Sequence, residues 1–148
     1  MPADRLLLPT AVRDALHDRR VAGAPAEVCG VLVGDRAGDV DAGNGEHDAD
    51  TTDRVSEAVP VANVAADPER FYELDPAATV GAIEDAECRG RDVIGFYHSH
   101  PRGSASPSDT DRARATWSGY VYAIVAPEGV VAYRWTGESF RRLRVETR

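Results

Sequence analysis

The sequence predicts an α/β fold: a single mixed, largely antiparallel sheet flanked by helices, in one domain spanning residues 1–148. Three observations point there. Short apolar runs at 28–33, 93–94 and 120–125 have strand length and are bounded by glycine, proline or charge. Two longer segments, 6–20 and 75–89, carry apolar residues at helical spacing. The chain then closes with a turn-separated meander, with no internal repeat and no linker long enough to divide it.

Taken in order, Leu6 to Arg20 reads as an amphipathic helix with Leu8, Val12, Ala15 and Leu16 on its inner face, ended by Gly23-Ala-Pro25; His17 falls on or beside the solvated side. Val28 to Val33 is almost wholly apolar, as in a central strand covered on both faces. Glu27 stands at its entrance, where an ionised carboxylate needs either a partner or solvent, and the segment alone leaves both open. Asp35 to Asp53, with Asp39, Asp41, Asp48 and several glycines, reads as a loose acidic hairpin or loop without EF-hand spacing, and His47 within it as solvated. Val55 to Val64 alternates as a strand, with Pro60 marking a bulge or edge. After the extended segment Phe71-Tyr72-x-Leu74, Asp75-Pro76 caps a helix to about Arg89 with Ala78, Ala82, Ile83 and Ala86 inward, ended by Gly90. A further helix runs from Pro107 to about Trp117, followed by a hairpin turning at Pro127-Glu-Gly129 and a last strand, Phe140 to Val145, with alternating arginines outward.

At 148 residues the chain can bury a sizeable core, and it contains no apolar run of membrane-spanning length and no signal peptide, so a cytoplasmic protein is expected. Cys29 and Cys88 do not form a Cys-x-x-Cys pair; each is expected as a small buried residue, with a single disulfide left open. The formal charge is -8 and every basic residue is arginine. Excess acid argues against nonspecific binding to nucleic acid or an anionic membrane.

The stretch Gly95 to Asp111 carries the chemistry. His98 and His100 alternate at the end of the strand that begins at Val93-Ile94, so their side chains share a face. Pro101 ends the strand, Ser106-Pro107 reads as an N-cap and first helical residue with Asp109 completing a capping box, and Ser108 and Asp111 then share one helix face. Two imidazoles and one carboxylate around a point leave a fourth tetrahedral position for water, as in a catalytic rather than a structural zinc site.

Glu27 together with His98-x-His100-Pro-x6-Ser108-x-x-Asp111 resembles the motif of the JAMM metalloproteases, also called MPN+ or JAB, and the segments around Cys29, Asn63, Phe71 to Pro76 and Gly95 to His98 resemble its compact prokaryotic members. The resemblance implies a JAB/MPN fold, itself similar to that of cytidine deaminase, and one Zn2+ per chain bound by His98, His100 and Asp111. It implies that Glu27 is the general base and acid and that Ser108 hydrogen-bonds the oxyanion. It further implies cleavage after the C-terminal glycines of ubiquitin-like proteins, here small archaeal modifiers and their conjugates. Two alternatives accompany it: processing of a sulfur-carrier protein, or a noncatalytic module that binds modifiers. The segment from Asn63 to Leu74 is expected to wall the substrate tail, and Arg102 either meets substrate or is solvated.

The acid surplus predicts adaptation to a salt-rich cytoplasm; a GC-rich genome would explain arginine and alanine without lysine but not the carboxylates. Far-ultraviolet circular dichroism should show structure lost as salt falls from molar to low concentration, whereas equal stability across that range would contradict the salt-adapted reading.

Overall fold

Residues 4–37 and 51–148 are described by the computed structural model. Among them the elements run β1 (Asp4–Leu7), α1 (Thr10–Gly23), β2 (Cys29–Asp35), β3 (Thr51–Val61), α2 (Pro76–Cys88), β4 (Asp92–Ser99), α3 (Asp109–Arg114), β5 (Val121–Ala126), β6 (Gly129–Trp135), β7 (Phe140–Arg142) and β8 (Arg144–Glu146). The strands form one mixed sheet in the order β7-β6-β5-β4-β2-β3-β1-β8. β1 pairs in parallel with β3 and β8, and β4 with β5; the other neighbours are antiparallel.

β2 and β4 lie at the centre, and burial explains their composition. From Cys29 to Gly34 every residue of β2 is buried, and so is β4 from Val93 to Ser99. The two faces feed two cores. Leu32, Ile94 and Tyr97 pack with Leu8, Leu16 and Val121 on one side, where α1 lies. Val31, Val33 and Phe96 pack with Ala86 on the other, joined by Ala82 and Ile83 of α2. Asp75 caps α2 through its carboxylate, which accepts from Ala78 N–H, and Gly90 leaves the helix at φ 74°.

Irregularities in pairing set which side chains face where. Leu32 pairs with Gly95 and Val33 with Val93, so Ile94 is an extra residue in β4. One extra residue reverses the facing of everything beyond it. Phe96 and then His98 thereby turn to the α2 side. Gly95 is required here, because a Cβ would fall on the Val121 carbonyl of β5.

Several boundaries differ from the expectations. Leu6 belongs to a strand, β1, and the first helix begins only at Thr10; the strand is too short to show a period of its own. β3 starts at Thr51 and ends at Val61, taking in the end of the expected acidic loop; residues 38–50, including His47, lie outside the described residues. Pro60 stays in register opposite Gly30, and the irregularity falls instead at Val33/Gly34. On α2, Ala78 is exposed rather than inward. The last helix ends at Arg114, not Trp117. The expected final strand is two, split at Leu143, whose buried side chain and hydrogen bond to Ala132 O pin the corner. β7 continues the β6 edge and β8 joins β1, so the two ends of the sheet are consecutive segments of chain. Cys29 is buried as expected, but Cys88 is exposed at the end of α2, and both are free thiols. His17 is exposed as expected.

An ionic clasp closes this curled sheet. Arg134 of β6 forks onto Asp4 of β1 at 2.7 and 2.9 Å, reaches Asp53 of β3 at 3.0 Å, and donates to Gly119 O. Arg141 adds a third bond to Asp4. Burial would raise the Asp4 carboxyl, but these arginines hold it below its ordinary value. Replacing Arg134 by leucine leaves the Asp53 charge buried, at 2% exposure, without that cation. The expected cost is about 3–5 kcal/mol in urea unfolding, and a loss below ~1 kcal/mol would show that the clasp is dispensable.

Candidate metal centre

Antiparallel pairing places the site. Cys29 pairs with His98; one step on, Val28 O accepts from Ser99 N–H and Val28 N–H donates to the Ser99 hydroxyl at 2.8 Å. Continued one residue further, that register sets Glu27 opposite His100. Alternation then turns Glu27, Cys29, His98 and His100 to one side of the sheet. Glu27, His100 and Ser108 share the lining of one cleft of about 260 Å³.

After His100 the chain loops and enters α3. Its N-cap is Ser108, not Ser106, and Asp111 rather than Asp109 completes the capping box. The Ser108 hydroxyl accepts from Asp111 N–H at 3.0 Å, while Ser108 N–H donates to Asp111 Oδ2 at 2.9 Å. Serine thus holds Asp111 by both its backbone N–H and its carboxylate, and its own O–H remains able to donate outward.

His98, His100 and Asp111 form a group able to hold a metal ion. His98 Nε2 and His100 Nε2 are 3.2 Å apart, and they lie 3.2 and 3.1 Å from Asp111 Oδ2. A tetrahedral ion with bonds of about 2.0–2.1 Å has edges near 3.3 Å, so this triangle is one face of such a polyhedron. The donor chemistry fits as well. His100 Nδ1 lies 2.7 Å from Ser104 O and so carries the proton that it donates there, leaving the Nε2 lone pair inward. With both imidazoles neutral, at most one proton, on His98 Nε2, serves three mutual contacts, an arrangement that a cation satisfies.

Electrostatics sort the groups. Burial would raise Asp111, but the contacts of His100 and His98, which donate to it when their rings are protonated, and the hydrogen bond from Ser108 N–H hold it far below the usual carboxylate range. Burial lowers His98, against the pull of Asp111, whereas for His100 the bonds to Asp111 and Ser104 outweigh burial and raise it. Glu27 is pushed up to about 7, by burial first, with His100 opposing and Asp111 reinforcing. Its Oε1 is buried without a hydrogen-bond partner among the described residues. Of the two readings open for Glu27, the solvated one is not met: the residue is 8% exposed and lines the same cleft as His100.

The five site residues of the sequence motif thus converge, and Arg102 lines the same cleft from an exposed position. Two contributors were not singled out individually. Tyr72 stacks on the His98 ring at 4.1 Å and 13°, and Asn63 donates to the Glu27 carbonyl at 2.9 Å. The only signal for them in sequence was their membership of segments resembling the family.

A single mixed sheet carrying a His2Asp cluster able to hold a metal ion, with a buried carboxylate at its rim, defines the class: an α/β protein of the JAB/MPN fold with a candidate metal centre. The comparisons make this specific. Residues 9–142 match the model for prokaryotic homologs of the JAB domain, and the chain belongs to that family. It is 47% identical over 150 residues, covering 98% of both chains, to a protein of Haloferax volcanii named desampylase. A "Probable TtuB-protein conjugate cleaving protease" of Thermus thermophilus is 37% identical over 79 residues, 53% of each chain. The crystal structure of a JAB1/MPN domain protein from Archaeoglobus fulgidus superposes with a TM-score of 0.56 at 17% identity, covering 99% of this chain and 98% of that one.

A divalent transition metal at about 100 times its Kd should stabilise the protein by ~2.7 kcal/mol, which for this size is roughly 5–10 °C in Tm. His98→Ala should abolish that increment in a thermal melt. An undiminished increment in the variant would place the metal elsewhere.

Proposed function

We propose that the protein is a zinc-dependent isopeptidase that cleaves after the C-terminal glycines of ubiquitin-like modifier proteins joined to target lysines. The observation that carries this is the buried Glu27 carboxylate beside the His98, His100 and Asp111 triangle. Full-length similarity to a desampylase supports the substrate class.

His98, His100 and Asp111 would hold one zinc per chain, which would supply a Lewis acid and lower the pKa of water towards about 7. Glu27 takes the proton of the attacking water and returns it to the departing lysine amine. Its raised pKa suits both halves of that task, since a carboxylate near neutrality accepts and releases a proton with little cost either way. The Ser108 O–H donates to the oxyanion that develops at the scissile carbonyl. His100, tied to Ser104 O, keeps its orientation throughout.

The deciding experiment incubates zinc-loaded protein with a modifier isopeptide-linked to lysine, a linear modifier fusion and a sulfur-carrier protein extended at its C-terminus. Cleavage of the isopeptide conjugate is expected; cleavage of the extended carrier alone would favour tail processing, and zinc occupancy with no cleavage would favour a binding module. Glu27→Gln should keep zinc and lose about 10²–10⁴-fold in kcat, and Ser108→Ala about 10²–10³-fold. Because Glu27 must be deprotonated to accept, kcat should rise with pH. Without a cation its pKa stands at about 7, raised chiefly by burial, and a bound cation lowers it, so the acid limb should lie between the ordinary carboxylate value and 7. Full activity of Glu27→Gln would remove the base assignment.

A further inference from the structure

One stretch of chain, residues 62–75 between β3 and α2, touches every part of the candidate centre. It meets the mouth of β2 twice: Asn63 Nδ2 donates to Glu27 O at 2.9 Å, and Glu27 N–H donates to Pro68 O at 2.7 Å. It meets β4 where the Tyr72 ring lies flat on His98. It meets α3, the helix of Ser108 and Asp111, where Arg114 Nη1 donates to Tyr72 O at 3.0 Å.

The stretch is itself held by Asn63. The second amide hydrogen goes to Phe71 O at 3.1 Å, and Oδ1 accepts from Ala65 N–H and Glu73 N–H, both at 3.0 Å. Backbone bonds from Val64 N–H to Glu73 O and from Asp75 N–H to Ala62 O run alongside. Both donors and both acceptor lone pairs of the Asn63 amide are therefore engaged. Aspartate would lose the donors, and glutamine is one methylene too long. The His98 ring, buried and free of any other stacking partner among its described ring contacts except the neighbouring His100 ring, has its plane set by Tyr72.

We infer that Asn63 and Tyr72 are positioning residues for the hydrolysis proposed above: Asn63 fixes the backbone of Glu27 and Tyr72 fixes the ring of His98, within one frame that also anchors α3. The inference rests on that reading for Glu27, but its effect on the metal ligand can be read without turnover. Displacing a base by a fraction of an ångström costs rate without changing what is bound. Loosening the support of a ligand costs metal retention.

The test is a pair of substitutions. Asn63→Ala should keep one zinc per chain and lose about tenfold or more in kcat per bound zinc, with KM within about twofold. A role in stability alone would lower the yield of folded, zinc-loaded protein at unchanged kcat per zinc, and that result would overturn the assignment. Tyr72→Leu should release zinc to a chelator about tenfold faster than the wild type, with Tyr72→Phe restoring the wild-type rate because the stack survives. Equal release from Tyr72→Leu and wild type would overturn the role of Tyr72. If wild-type protein cleaves no conjugate, the proposed function fails and the role of Asn63 with it, while the chelator comparison still decides the role of Tyr72.

Discussion

The antiparallel register of β2 against β4 is the constraint on which the centre depends. Glu27 and His100 are more than seventy positions apart in sequence, yet Cys29 opposite His98 and the paired bonds of Val28 and Ser99 set them side by side. A slip of one residue would turn Glu27 to the opposite face from His98. The register is protected by its neighbours: both strands are buried on both sides, and Gly95 admits the Val121 carbonyl where any side chain would collide. Packing of ordinary valine, leucine and phenylalanine therefore determines whether a carboxylate stands beside the candidate metal ligands.

α3 adds the remaining parts economically. Ser108 caps the helix with its oxygen and clamps Asp111 with its backbone N–H, and its hydroxyl hydrogen is the one proposed to meet the scissile carbonyl. A capping box is a common device worth about 1 kcal/mol. Here the carboxylate that completes the box is also a candidate ligand, so the helix cannot form correctly without orienting Asp111.

Much of this was legible in the sequence because it is local or periodic. The spacing of His98, His100, Ser108 and Asp111 is a strand end, a turn and a first helical turn, each short enough for residue type to report it. The stripe at Ala82, Ile83 and Ala86 reports α2, and the unbroken apolar run reports β2. What escaped was decided at long range. β1 is four residues and exists because it can pair with β3 and β8. The split at Leu143 follows from closing the sheet on itself. Ser106-Pro107 looked the better cap by local preference, but the contact between Asp111 and the histidines selects the turn beginning at Ser108. The bulge at Ile94 and the bonds of Asn63 have no local signature, since each is defined by a partner strand or a distant carbonyl.

The central claim is that one metal sits on the His98, His100 and Asp111 face with its open position towards Glu27. Anomalous diffraction at the zinc edge from crystals of the zinc-loaded protein tests it most directly. A single peak bonded by His98 Nε2, His100 Nε2 and Asp111 Oδ2, with a fourth ligand oxygen in hydrogen-bond reach of the Glu27 carboxylate, is the predicted result. A peak at other residues, or Glu27 itself as a ligand, would contradict it.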